Sequence, residues 1–95
     1  MSRIAKIKQA LTPDAVLTLC HAWLPGGKLQ GRCYMVCSPF RKERTPSFAV
    51  YIKDGGWWDY GGGSGGDVID LCQRLHNVSI QDAIEAFEQM LGLEQ

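Results

Sequence analysis

The chain has 95 residues, of which ten are basic and ten acidic, so its formal net charge is zero. A hydrophobic content of 45% is ordinary for a globular protein and argues against a disordered chain. No apolar run approaches the ~20 residues of a membrane helix. We expect one small domain, 1–95, and four irregularly spaced cysteines without a signal segment predict reduced thiols and a cytoplasmic location.

Charge is divided unevenly along the chain. Residues 1–53 carry nine basic side chains against two acidic ones, whereas residues 54–95 carry one basic side chain against eight acidic ones. The basic half can contact nucleic acid phosphates, and the acidic half can contact a basic partner. Mutual neutralisation within one compact domain explains the same division, so both interpretations stay open.

Two helices are predicted at the N-terminus. A short one is expected over residues 2–9, and the next has Thr12 as its N-cap and Pro13 at its first position. Pro25-Gly26-Gly27 ends this second helix. Its apolar face consists of Val16, Leu17, Leu19, Cys20 and Trp23.

Alternating apolar and polar residues predict three strands that form an antiparallel meander. They cover residues 31–37, 47–53 and 57–60, with a polar loop over 38–45. Asp54-Gly55-Gly56 has the chemistry of a hairpin turn, because Asp-Gly tolerates positive φ. Two aromatic neighbours, Trp57 and Trp58, point to opposite faces of the third strand, so one can be buried while the other is exposed.

A glycine-rich stretch over 61–66 separates the strands from the C-terminal helices. Five of its six residues are glycine, which predicts a loop rather than a packed element. A helix is expected from about Asp67 to His76, and a last helix follows Ser79 as its cap and ends near Gly92. The pattern predicts an α+β domain, a small antiparallel β-meander with an N-terminal helix and a C-terminal helical hairpin.

Three segments carry a family resemblance: Cys37-Ser38-Pro39-Phe40, Thr45-Pro46-Ser47-Phe48 and the stretch 63–70. In this order they resemble the N-terminal zinc-ribbon domain of bacterial, phage and mobile-element DNA primases, over about residues 29–92. The resemblance implies a module that engages single-stranded template and helps to begin the primer. It assigns polymerisation to a separate metal-dependent domain.

The chain departs from the family at the zinc ligands. The family takes a Cys and a His from the first motif and two Cys from the strand before the glycines. The resemblance retains the first as Cys37, whereas Arg41, Asp59 and Gly62 stand at the other three positions. Since a structural zinc site needs four ligands, we predict a zinc-ribbon-like fold without metal or cofactor. Packing of large aromatic side chains is expected to substitute for the metal: Phe40, Phe48, Trp57, Trp58 and Tyr60.

Other chemistry has weaker support. Residual zinc binding stays an open alternative, with a pool of soft ligands at Cys20, Cys33, Cys37, Cys72 and His76. The glycine stretch lacks the Gly-Lys-Ser/Thr ending of a P-loop, and Asp67 puts a carboxylate where a phosphate would lie. No catalytic constellation stands out, so we do not expect an enzyme.

Two functions therefore remain. The first is a module that binds single-stranded DNA and assists replication initiation of a phage or mobile element. Its predicted phosphate contacts are Arg32, Arg41, Lys42, Arg44 and Lys53, and its predicted stacking residues are Tyr34, Tyr51 and Trp58. These residues form one patch if the strand faces that carry Tyr34 and Tyr51 are both exposed. The alternative is an interaction module that docks on a primase or replicative helicase as accessory or inhibitor.

Overall fold

A computed structural model describes residues 2–42 and 44–93. The domain is α+β, as predicted, and its elements follow the expected order of helices, strands and helices. They are α1 (Arg3–Ala10), α2 (Pro13–Trp23), β1 (Lys28–Gln30), β2 (Cys33–Val36), β3 (Phe48–Tyr51), β4 (Trp57–Asp59), β5 (Ser64–Gly66), α3 (Val68–His76) and α4 (Ile80–Leu91). Within the described residues, no helix has the length and apolar character needed to span a membrane.

The five strands form one antiparallel sheet in chain order, β1-β2-β3-β4-β5. The predicted meander of three strands is thus confirmed, and a short strand extends it at each edge. Prediction of a loop over 61–66 was wrong for its second half, because Ser64–Gly66 pairs with Trp57–Asp59. A Cβ on Gly65 would lie 2.5 Å from the Trp58 ring, so only glycine allows β5 to pack beneath that ring.

Each helix begins at a side-chain cap that is visible in the sequence. Thr12 Oγ1 accepts a hydrogen bond from the Ala15 amide at 3.1 Å, and Asp67 Oδ1 accepts one from the Asp70 amide at 2.8 Å. Ser2 and Ser79 cap α1 and α4 in the same way. These caps satisfy amide groups that the first helical turn leaves without partners. The helix starts agree with the predicted ones because a capping side chain binds an amide only three residues further along the chain.

The helices cover one face of the sheet, here called the inner face, and the opposite face is the outer face. The inner-face residues Tyr34, Phe48 and Trp57 are at most 3% exposed and join the same core as Val16, Leu71 and Phe87 of the helices. Cross-strand register places Met35, Ala49, Trp58 and Gly65 in one row on the outer face. The fold therefore leaves the outer face open for contacts with other molecules.

Candidate functional site

An aromatic cluster occupies the outer face. Trp58 is 40% exposed, Tyr51 is 39% exposed and Tyr60 is 60% exposed. A hydrogen bond with Tyr60 raises the pKa of the Tyr51 hydroxyl, so these two side chains meet on this face. Trp58 lies opposite Ala49, two residues before Tyr51 on the same strand face. The cluster presents aromatic rings on a sheet surface, which is an arrangement suited to stacking.

A basic groove of about 390 Å³ opens at one end of the sheet. Arg32, Tyr51 and Lys53 line it together, beside Asp54 and the buried Trp57. Three residues that the sequence predicted as contacts are thus brought to one place. The groove adjoins the aromatic cluster because Tyr51 belongs to both.

Lys42 and Arg44 lie at the opposite end of the sheet, in the loop between β2 and β3, and both are exposed. Strand β3 (Phe48–Tyr51) runs between the two ends and is about 10 Å long, since its four residues span three rises of ~3.3 Å. None of the ion pairs between described residues involves Arg32, Lys42, Arg44 or Lys53. These four cations therefore lie at the two ends of the sheet, Arg32 and Lys53 at the groove and Lys42 and Arg44 at the loop.

Tyr34 was predicted to stack on nucleic acid, and the structure corrects this prediction. Its side chain is 0% exposed and lies on the inner face, where its hydroxyl donates a hydrogen bond to the Leu24 carbonyl at 2.5 Å. The alternation along β2 was identified correctly, but the face assigned to solvent was the core. Tyr34 and Tyr51 consequently lie on opposite faces of the sheet.

Arg41 is held by Asp59. Its Nη1 and Nη2 atoms donate to the two carboxylate oxygens at 2.6 and 2.9 Å, in a bidentate ion pair. The Asp59 side chain is 3% exposed, and the Gly62 amide donates to the same carboxylate at 3.1 Å. The Arg41 hydrogen bonds hold the pKa of Asp59 below its usual value. Much of the Arg41 charge is thus neutralised inside the protein.

These contacts show whether the residues that the resemblance assigns to the zinc-ligand positions fit a zinc ion. A structural zinc ion requires four nitrogen, sulfur or oxygen ligands. Arg41 is instead a cation that occupies both oxygens of Asp59, and Gly62 has no side chain. Across residues 2–42 and 44–93, no three His, Cys, Asp or Glu side chains are grouped so as to hold a metal. The residues present do not fit zinc.

The cysteines are dispersed over the fold. Cys20 and Cys72 are buried in the core, and burial raises the pKa of the Cys20 thiol to about 11. Cys33 and Cys37 are half-buried. Exposure alternates through β2 and past its end, so that Ser38, which is 5% exposed, shares the inner side with Asp59. Alternation therefore puts Ser38 on the inner side with Asp59 and Cys37 on the opposite side, and the assignment of Cys37 as the retained ligand stays a prediction.

The aromatic residues predicted to substitute for the metal separate into two groups. Phe40, Phe48 and Trp57 form one cluster, in which the Phe48 and Trp57 rings are stacked at 5.2 Å. Trp58 and Tyr60 belong instead to the outer face. Tyr60 was predicted only to pack, although its spacing of two residues from Trp58 in the predicted strand 57–60 indicates the same exposed face.

The model of the CHC2 zinc finger family matches residues 25–95. The chain is 39% identical over 67 residues to the DNA primase of Pasteurella multocida, across 70% of this chain and 12% of that primase. It is also 39% identical over 57 residues to the DNA primase of Chlamydia trachomatis, across 60% of this chain and 10% of that primase. The matched region thus corresponds to about a tenth of the length of these relatives.

A solved primase structure has a similar fold. The crystal structure of the Aquifex aeolicus primase, with its zinc-binding and RNA polymerase domains, superimposes with a TM-score of 0.81. The superposition covers 97% of this chain and 22% of the Aquifex chain at 23% sequence identity. The arrangement of helices and strands is therefore that of a primase domain.

Proposed function

Because the chain belongs to the CHC2 zinc finger family of DnaG-type primases, we propose that it binds single-stranded DNA on the outer face of its sheet. It acts as a non-catalytic module that assists replication initiation of a phage or mobile element. The observation that carries this proposal is the exposed aromatic cluster of Tyr51, Trp58 and Tyr60 with cations at both ends.

The proposed DNA contacts are of two chemical kinds, ionic contacts to phosphates and stacking on bases. Arg32 and Lys53 at the groove, and Lys42 and Arg44 at the loop, supply phosphate contacts, whereas Trp58 and the two tyrosines supply base stacking. Such a combination binds single strands with little sequence preference, and stacking contributes ~1–3 kcal/mol per base. We leave Arg41 out of the proposed contacts, because its guanidinium is committed to Asp59.

Fluorescence anisotropy with a labelled single-stranded oligonucleotide, measured over a range of salt concentrations, tests the proposal. Trp58→Ala should weaken binding by about 5- to 150-fold, which corresponds to the loss of one stacked base, whereas Trp58→Phe should retain most of the affinity. Lys53→Ala should weaken binding and reduce the slope of log K against log salt by ~0.7. Lys6→Ala, an exposed cation on α1, is the matched control and should leave affinity nearly unchanged.

Three outcomes would contradict the proposal. Equal effects of Lys6→Ala and Lys53→Ala, or an unchanged affinity of Trp58→Ala, would mean that the outer face is not the interface. Absence of binding at low salt would instead favour a protein-interaction module that docks on a primase or replicative helicase. Circular dichroism of each variant confirms that the fold is intact before affinity is compared.

A further inference from the structure

The Arg41–Asp59 contact joins two segments at the ends of the strands on either side of β3. Arg41 lies in the loop after β2, and Asp59 ends β4 just before the turn over residues 60–63. The pair thus connects residues 18 positions apart through two parallel hydrogen bonds. Backbone hydrogen bonds close the turn itself, with the Gly63 amide donating to the Asp59 carbonyl at 2.7 Å.

The glycine turn is shaped around the guanidinium group. A Cβ added to Gly61 would lie 2.2 Å from Arg41 Nη2, and one added to Gly62 would lie 2.8 Å from Arg41 Nη1. Both glycines have ordinary backbone angles, since neither is among the residues with positive φ. Glycine at these two positions therefore leaves space for the Arg41 guanidinium. The turn does not need the positive φ that glycine allows.

From these contacts we infer that the Arg41–Asp59 ion pair, enclosed by Gly61 and Gly62, replaces the zinc ion of the CHC2 family as the cross-link between loop and turn. The domain accordingly folds without metal. This inference is independent of DNA binding, because it concerns how the domain is held together. It follows from the mismatch between the residues present and the ligands that zinc requires.

The chemistry of the pair suits a cross-link. A guanidinium presents two donors in a rigid fork that matches a carboxylate, whereas an ammonium is a point charge. The Phe40 and Phe48 rings, 5.8 Å apart, pack within the same region of the fold, since Phe48 lies opposite Asp59 in the sheet. Removal of Arg41 would leave the Asp59 carboxylate, which is almost fully buried, without its charged partner.

Metal analysis and thermal unfolding of the full chain provide the test. We expect substoichiometric zinc in the purified protein and an unfolding midpoint that a zinc chelator does not change. Arg41→Gln or Asp59→Asn should lower the midpoint by more than about 10 °C. Arg3→Gln is the matched control, because Arg3 also forms a bidentate pair, with Glu88, but its side chain is 48% exposed. It should lower the midpoint by at most about 5 °C.

Two further variants keep the inference testable if a single substitution prevents folding. The double variant Arg41→Gln/Asp59→Asn removes both charges and should be more stable than Arg41→Gln alone, since the buried Asp59 carboxylate is then no longer left without its charged partner. Arg41→Lys should have a lower unfolding midpoint than the wild type, because one ammonium group cannot reproduce the two parallel hydrogen bonds of the guanidinium. Stoichiometric zinc with a chelator-sensitive midpoint would overturn the inference, and so would equal losses in Arg41→Gln and Arg3→Gln.

Discussion

Replacement of Tyr34 by phenylalanine removes a single oxygen atom from the core. The Tyr34 hydroxyl donates to the Leu24 carbonyl at 2.5 Å and accepts from the Gly27 amide at 3.0 Å. Both partners belong to the segment that connects α2 to β1. The side chain is 0% exposed, so no water replaces the hydroxyl without a rearrangement of the core. Phenylalanine fills the same space, and the substitution therefore tests the hydrogen bonds alone.

The expected cost can be estimated from the two groups left behind. A buried polar group without a partner costs ~1–3 kcal/mol. Leu24 is 3% exposed, so its carbonyl contributes most of this cost, whereas Gly27 is half-buried and its amide can recruit water. We expect Tyr34→Phe to lower the free energy of unfolding by about 2 kcal/mol, which is roughly 8–16 °C in the unfolding midpoint.

Urea unfolding followed by tryptophan fluorescence measures this loss. The control is Tyr60→Phe, because Tyr60 is 60% exposed and its loss of a hydroxyl should cost under about 0.5 kcal/mol. Folded Tyr34→Phe should bind single-stranded DNA like the wild type, since the ring lies on the inner face. Equal losses of unfolding free energy in Tyr34→Phe and Tyr60→Phe would refute the argument that the buried hydrogen bonds stabilise the fold. A drop in DNA affinity as large as that of Trp58→Ala would refute the placement of Tyr34.

Two further predictions concern acid and a glycine. Arg41 lowers the pKa of Asp59, so the stability from this pair is present above the ordinary carboxyl pKa of ~3.9 and is lost as pH falls through the lowered pKa. Acid unfolding followed by circular dichroism should therefore show a smaller loss of stability in Asp59→Asn than in the wild type. Equal losses of stability in the two proteins would contradict the assignment. Gly55→Ala should cost more than ~1 kcal/mol in urea unfolding, because Gly55 has φ +80° and its new Cβ would lie 2.8 Å from the Val68 Cβ. Gly26→Ala, with φ +91° and open space, should cost less, and equal losses would exclude the clash as the cause.

Local features of the fold were predictable from the sequence. The helix caps at Thr12, Asp67 and Ser79 depend on side chains within three residues of the amides that they bind. The central strands follow from alternation of apolar and polar residues. Alternation does not reveal which face is covered, however, because that depends on where the helices pack. Tyr34 was therefore predicted to lie on the exposed face, although it lies in the core. The outer face instead exposes Trp58 and Tyr51.

Features that depend on distant contacts were harder to predict. Strand β5 has two glycines and no apolar pattern, and it pairs with β4, where the Trp58 ring lies over Gly65. The Arg41–Asp59 pair joins two positions that sequence analysis had identified only as altered zinc ligands. A signal was nevertheless present: opposite charges stand at two positions that a shared metal would bring together. Complementary charges at such positions indicate an ion pair more directly than they indicate a phosphate contact.

The chain-order arrangement of the sheet has a consequence for folding. Every strand pairs with its immediate neighbour along the chain, so each hairpin closes only a short loop. Contact between α1 and α4 is different, since the Arg3–Glu88 pair joins residues 85 positions apart. Closure of that long loop carries the largest entropic cost, and rates of folding fall as contacts become more distant in sequence. The sheet is therefore expected to assemble early, and α1 to dock late.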